Sequence, residues 1–381
     1  MRRYLVQFIR ILVGALFIFS GYVKLNDPMG FGFKLEEYFS ESVLNLPFFT
    51  PYVVEMAIAI CVVEIVVGLT LLLGIWRKLT LWVLTVMIVF FTFLTFYSSY
   101  YDVVTDCGCF GDAIPLTPDQ SFGKDVILTI LILILVFNRD VIQPIVRKGT
   151  GGAIVAFATL LCFYNSHHVL NHLPRQDFRA YKIGTDIAEG MKSAEELGKE
   201  APVYETFFIF ENEAGERVEV SGTAYVEDKW YEKTEWTMLS DLSESRKIKD
   251  GYEPPIHDFI MESDTGDITT WVLEQPKVIL VLSYLLEKAD SDGLKAISAW
   301  SWPLEEAGYK VLGWTNSGYE AVEEARHEHS LPFSFVSGDG TTIKTVVRSN
   351  PGIVALKNGV IVGKWHWNDR PTTAELEEVF K

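Results

Sequence analysis

Two thiols stand one residue apart in the stretch Asp106-Cys107-Gly108-Cys109-Phe110-Gly111-Asp112, between two apolar runs. A bridge between them needs Cα atoms within about 4.4–6.8 Å, and Gly108 permits the tight bend that brings them there. Such a ring is strained and easily reduced, which is the property of an exchanging disulfide. Zinc is a weaker reading, because two cysteines supply half a tetrahedral site and no histidine adjoins them, so no metal is expected. The bland alternative is a reduced pair or inert bridge that pins the loop. Asp106 and Asp112 raise the thiol pKa values and slow attack, while Lys124 and the start of the next helix oppose them. Four cysteines in 381 residues are too few for a disulfide scaffold.

The elements that must hold this loop are apolar runs of about 20 residues, the length that crosses roughly 30 Å of hydrocarbon. There are five: Tyr4 to Leu25, Pro51 to Trp76, Leu79 to Tyr101, Asp125 to Ile145 and Gly151 to Leu173. Arg2, Arg3, Arg77, Lys78, Arg139, Arg147 and Lys148 all fall on one side, the expected cytoplasmic side, which leaves the cysteine loop and everything after the fifth run on the other. The first run is too long for a cleaved signal peptide, contains Arg10 and lacks a small-residue cleavage site. Residues 26 to 50 interleave Phe31, Phe33, Leu35, Tyr38 and Phe39 with Lys34, Glu36 and Glu37, as a short amphipathic roof would.

Ionisable groups inside the runs cost about 2.5–3.5 kcal/mol each at mid-membrane unless paired. Lys24 and Glu55 both count as near the outer end and are expected to pair. Glu64 is about 13 residues down its run, with Cys61 and Gly68 on the same helical face, and reads equally as a proton-handling or ligand-contacting group and as a partner of Arg10.

Almost all of the net charge of −17 lies beyond residue 173. An acidic half of this kind excludes nucleic acid as its partner. His167, His168 and His172 close the fifth run and read as interfacial polar residues in preference to a metal or haem site. Thr206–Phe210 and Arg217–Val220, split by Asn212–Gly215, read as a hairpin. Trp230, Tyr231 and Trp236 follow and are expected to pack. From Pro276, strands at Val278–Ser283 and Lys310–Thr315 alternate with helices at Asp292–Ala307 and Ser317–His329, ending in a hairpin and a helix at Thr372–Lys381.

Phe17-Ile18-Phe19-Ser20-Gly21-Tyr22-Val23-Lys24-Leu25-Asn26-Asp27-Pro28, Glu64 with Gly68, and Cys107-Gly108-Cys109-Phe110-Gly111 resemble the DoxX-like superfamily, particularly its methylamine utilisation MauE branch. That resemblance covers residues 1–146 and implies a four-helix membrane bundle, to which residues 147–175 add a fifth span. It also implies a redox role for Cys107 and Cys109, because MauE proteins are associated with maturation of a disulfide-rich dehydrogenase and DoxX-type proteins with quinone-coupled sulfur oxidation. Nothing in the residues points to methylamine itself. Residues 176–275 read as a linker and a β-rich segment. Residues 276–381 resemble a thioredoxin-like domain, with Arg348-Ser349-Asn350-Pro351-Gly352 as its cis-proline turn. Glu287-Lys288-Ala289-Asp290-Ser291 stands where a redox thioredoxin places its cysteines, so this domain cannot exchange thiols, and partner binding at Asn350 and Pro351 is its remaining functional reading.

The resulting expectation is a multipass protein of the bacterial cytoplasmic membrane, with its N-terminus cytoplasmic and its C-terminal half periplasmic. It relays electrons between extracytoplasmic thiols and a membrane quinone through Cys107, Cys109 and Glu64. The competing class is a non-catalytic assembly factor whose thiol-free domain holds a client protein.

Overall fold

In the computed structural model, residues 2–101, 103–104 and 110–381 are described, apart from the side chain of Asp241. Five helices are long and apolar enough to cross a membrane. They are α1 (Arg2–Asn26), α3 (Val53–Leu73, preceded by a 3-10 turn at Pro47–Tyr52), α4 (Arg77–Tyr101), α5 (Pro118–Phe137) and α6 (Lys148–Asn171). Between α1 and α3 lies α2 (Pro28–Phe39), the expected amphipathic roof. Its start is fixed locally: Pro28 sits in the first turn and the Asp27 carboxylate accepts the Gly30 N–H.

The fourth span begins seven residues before the expected Asp125 and ends at Phe137 instead of Ile145. Thr117 and Gln120 form a capping box with Pro118 in the first turn, so the polar stretch before Asp125 is helix and not loop. The inner stripe of α5 is Ser121, Asp125, Leu128, Ile132 and Leu135, one buried face at helical spacing. Trp82, Val89 and Phe93 of α4, Ile127 and Ile130 of α5 and Phe157 and Leu160 of α6 are exposed, as a lipid-facing surface requires.

The pair α1/α3 is the closest in the bundle, and glycine makes it so. A Cβ on Gly68 would stand 2.7 Å from the Gly14 carbonyl oxygen, and one on Gly21 would stand 2.8 Å from that of Cys61. Arg10, 4% exposed, spends its guanidinium on α3: Nε donates to the Leu71 carbonyl at 2.8 Å and Nη2 to that of Leu72 at 2.6 Å. It therefore satisfies carbonyls that the end of α3 leaves open, and it is not the partner of Glu64. At that same end Arg2 donates to Asn138 and Arg77 approaches Asp140 at 3.6 Å, which gathers the basic turns at one end of the bundle.

Thr185–Phe259 form a unit of their own. It contains α7 (Ile187–Gly190), β1 (Val203–Asn212), β2 (Arg217–Ser221), α8 (Gly222–Glu227), β3 (Trp236–Met238) and β4 (Glu244–Lys249). Strand β1 is central and antiparallel to the other three, with the β1–β2 hairpin turning at Gly215. Trp230 packs on Phe210 and Trp236, whereas Tyr231 stays exposed.

The rest of the C-terminal half is an α/β layer: β5 (Glu262–Ser263), β6 (Gly266–Asp267), α9 (Thr269–Leu273), β7 (Val278–Ser283), α10 (Ser291–Glu306), β8 (Val311–Thr315), α11 (Tyr319–His329), β9 (Phe335–Ser337), α12 (Gly340–Val346), β10 (Gly352–Lys357), β11 (Val360–His366) and α13 (Thr373–Val379). The strand order is β11-β10-β7-β8-β9-β5-β6, with β7, β8 and β9 parallel and β10 and β11 antiparallel, a thioredoxin-like arrangement. Because β5 pairs with β9, this layer begins at Ile260 and not at 276 as its strand-and-helix alternation had indicated. Every residue of β7 is buried, as expected of a strand covered on both faces. Ile279, Val281, Ile297, Ile353 and Leu376 form the centre of its core.

His366, 5% exposed at the end of β11, accepts the Asn368 N–H at Nδ1 (3.1 Å), and burial lowers its pKa to about 4. The unfolded ring titrates near 6.5. The neutral ring therefore contributes stability that is complete above about pH 6.5 and is lost as the pH falls through about 4, up to about 3 kcal/mol. The midpoint of chemical unfolding followed by tryptophan fluorescence is expected to fall between pH 7 and 4.5 in the wild type, and to fall less in His366→Asn.

Candidate functional site

Cys107 and Cys109 lie outside the described residues, so the site is built from what flanks them. Phe110, directly after Cys109, packs its ring 5.7 Å from Phe19 and carries the Lys124 ammonium 5.0 Å from its centroid. Beneath it, a cavity of about 50 Å³ is lined by α1, α2, α3, α4 and α5. Its walls include the rings of Phe31, Tyr38, Phe91 and Phe110, and its charged groups are Lys24, Glu64, Lys124 and Asp125.

These four groups form two lysine–carboxylate pairs. Lys24 Nζ donates to Glu64 Oε1 at 2.5 Å, with both side chains almost wholly buried, and it also stands 4.9 Å from the centroids of Phe31 and Phe91. Glu64 Oε2 has no hydrogen-bond donor among the described residues. Lys124 Nζ is 2.8 Å from Asp125 Oδ1, and Thr95 donates to Asp125 Oδ2 at 3.1 Å. The expected Lys24–Glu55 pair is not formed. Lys24 reaches Glu64 because α1 ends two residues after it, whereas α3 runs on for about 16 Å beyond the level of Glu64 and α2 fills the step. Sequence reasoning missed Asp125 as a site residue, although its place in the stripe Ser121, Asp125, Leu128 was a readable signal of burial.

A second layer lies above. Arg348, two residues before Asn350, donates from Nε to Asp27 Oδ2 at 2.8 Å, and its Nη2 stands 3.8 Å from Asp112, three residues past Cys109. Burial would raise the Asp27 pKa, but Arg348, Arg179 and the Gly30 N–H together hold it below the usual carboxylate range. Phe33 of α2 meets Tyr284, the residue after β7, edge-on at 5.9 Å, and Lys288 and Lys344 each stand 3.9 Å from Glu36. Thus α2 covers the region where a thioredoxin would carry its cysteines. The Asn350–Pro351 bond is cis, as the motif implied. Asn350 is used internally: its Oδ1 accepts from Ser283 (2.6 Å) and its Nδ2 donates to the Leu285 carbonyl (3.0 Å), while Pro351 is buried. Of the histidines ending α6, His172 pairs with Asp369 at 2.7 Å and stacks on His168.

The membrane bundle and its roof are now described, and the same stretch can be compared with known proteins. Residues 2–138 match the family model of methylamine utilisation protein MauE. The MauE domain thus comprises α1 to α5, and α6 with all that follows lies beyond it. The chain is also similar to Protein TlpB of Flavobacterium psychrophilum, 32% identical over 145 residues, which is 35% of this chain and 37% of that protein. The match therefore spans well under half of either chain. Residues 2–138 form a MauE-type membrane domain, and an α/β layer of thioredoxin-like strand order stands at the other end of the chain.

Proposed function

We propose that the protein is a thiol–disulfide oxidoreductase that relays electrons between extracytoplasmic thiols and a membrane quinone in protein maturation. Cys107 and Cys109 are the exchanging pair, and Glu64 handles a proton. The observation that carries this reading is that Phe110, next to Cys109 in the chain, and Glu64 line one cavity. Closing a dithiol to a disulfide releases two electrons and two protons, and a quinone takes up both as it becomes a quinol. Aromatic walls, the buried Lys24, the partly buried Lys124 and the open Glu64 oxygen suit a planar carbonyl headgroup. The volume does not yet suit it: about 50 Å³ is a third of the roughly 150 Å³ cavity that holds benzene, so the ring of Phe31, Phe91 or Phe110 has to move aside. Lys24 and Lys124 would then polarise the carbonyls, and Glu64 and Asp125 would hold protons at the cavity wall.

In this reading the basic end of the bundle is cytoplasmic, and the cysteine loop and thioredoxin-like layer face the periplasm of a bacterial inner membrane. The second reading is the assembly factor, favoured by a thioredoxin-like layer that contains no cysteine. Replacing Cys107 and Cys109 with Ser, singly and together, separates the two. In the relay, a lone cysteine forms a mixed disulfide that nothing inside the protein releases. The single variant of the resolving residue should therefore trap a reducible high-mass adduct, and the double variant should show none and lose function. A fully functional double variant would sink the relay and leave the scaffold, whose client would have to bind elsewhere than at the internally bonded Asn350 and the buried Pro351.

A further inference from the structure

A cavity of about 480 Å³ lies between α1, α2, residues 174–179 and α12, with Gly111 and Asp112 in its wall. Its lining carries charges of both signs. Lys34, Arg179 and Lys344 line it together with Glu36 and Glu37; Lys34 donates to Glu37 at 3.2 Å within α2, Arg179 donates to Asp177 at 2.7 Å, and the Arg348–Asp27 pair closes one side. Among the cations that line this cavity, Lys344 stands farthest from a carboxylate. Its ammonium lies over the rings of Phe33 (4.5 Å) and Tyr284 (5.0 Å), and it stands no closer than 3.9 Å to Glu36. Burial lowers its pKa, and Glu36 only partly opposes this. A half-buried ammonium held on ring faces beside a cavity is a place for an anionic group of a ligand.

A folded client is a poor occupant. The region by which a thioredoxin fold would meet a protein is packed against α2 through the Phe33–Tyr284 contact, and what remains is a partly open space of small-molecule size.

We propose that this cavity binds a small zwitterionic thiol or disulfide, its carboxylates on Lys34 and Lys344 and its ammonium groups on Glu36 and Glu37. The inference rests on the relay reading only in making such a molecule its thiol substrate. Two thiols RSH would then reduce an oxidised Cys107–Cys109 pair. The first thiolate attacks one sulfur, forming a mixed disulfide and releasing the other cysteine as thiolate. The second displaces the first-attacked cysteine, leaving RSSR and the dithiol, with both substrate protons passing to the two released thiolates.

The test is equilibrium dialysis of the full-length protein in detergent against L-cystine, with uncharged 2-hydroxyethyl disulfide as the comparison. It is run on the wild type and on the Cys107→Ser/Cys109→Ser variant, in which no exchange can trap the probe. Both proteins are expected to bind cystine saturably and to ignore the uncharged disulfide. Lys344→Gln and Glu37→Gln should each weaken binding about tenfold, with the melting temperature recorded to exclude unfolding. Absence of binding, equal binding of the uncharged disulfide, or indifference to both substitutions overturns the inference. Binding by the Ser/Ser variant without any cystine reduction or cysteine oxidation by the wild type would instead overturn the relay and leave the cavity assignment intact. Oxidation of an unfolded protein's thiols by a protein that does not bind cystine would do the reverse.

Discussion

Lys24→Met is expected to destabilise the bundle by about 3–5 kcal/mol, because it leaves the Glu64 carboxylate buried beside apolar rings with no counter-charge. Glu64→Leu should cost a similar amount by stranding the ammonium. The double variant Lys24→Met/Glu64→Leu should recover most of that loss, since removing both charges removes both desolvation penalties. Thermal aggregation in detergent, read by size-exclusion chromatography after heating, measures all three. If either single variant melts with the wild type, the pair is hydrated and the cavity is wetter than its burial implies. The double variant also isolates chemistry from stability: it should fold and insert, yet fail in thiol oxidation if Glu64 handles a proton.

The second large effect falls on Arg348. Arg348→Met removes the guanidinium that donates to Asp27 together with the approach to Asp112 and the stacking over Phe33. Asp27 is then left with the Gly30 N–H and the more distant Arg179 field. A loss of about 2–4 kcal/mol is expected, with a coupling to Asp27→Asn of about 2 kcal/mol in a double-mutant cycle. Limited proteolysis of the full-length protein should cut the chain near residues 174–184 faster in Arg348→Met. Additive single and double variants would show that the 2.8 Å contact contributes nothing to stability.

The spans were legible because length and charge avoidance mark a membrane helix whatever it packs against. The sheet layer was legible because alternation of β and helical patterns survives tertiary context. The partner of Lys24 was not. Counting down from the start of each run assumes that all helices begin at one level, and α1 stops short while α2 replaces its missing turns. The start of α5 was misplaced for a related reason: hydropathy finds the apolar part of a helix, whereas Thr117 and Pro118 begin it two polar turns earlier. The contact of Arg348 with Asp27 had no local signal at all, since neither residue's neighbours say where a segment hundreds of positions away will lie. The cavity above α2 follows from that contact, and so it too was invisible in the sequence.

The Asp27–Arg348 pair joins positions 321 residues apart. At roughly 5–20 residues per second, the ribosome delivers Arg348 between about 15 and 60 s after Asp27. During that interval the helices can insert and the Gly14/Gly68 seam can close, but Asp27, Glu36 and Phe33 must wait in water for their partners. The protein thus matures in two separate events, one governed by lipid and one by the folding of the α/β layer, and Asp27 and Asp112 acquire their Arg348 neighbour only at the second. The order of synthesis itself therefore delays the closing of this junction until the α/β layer has been made.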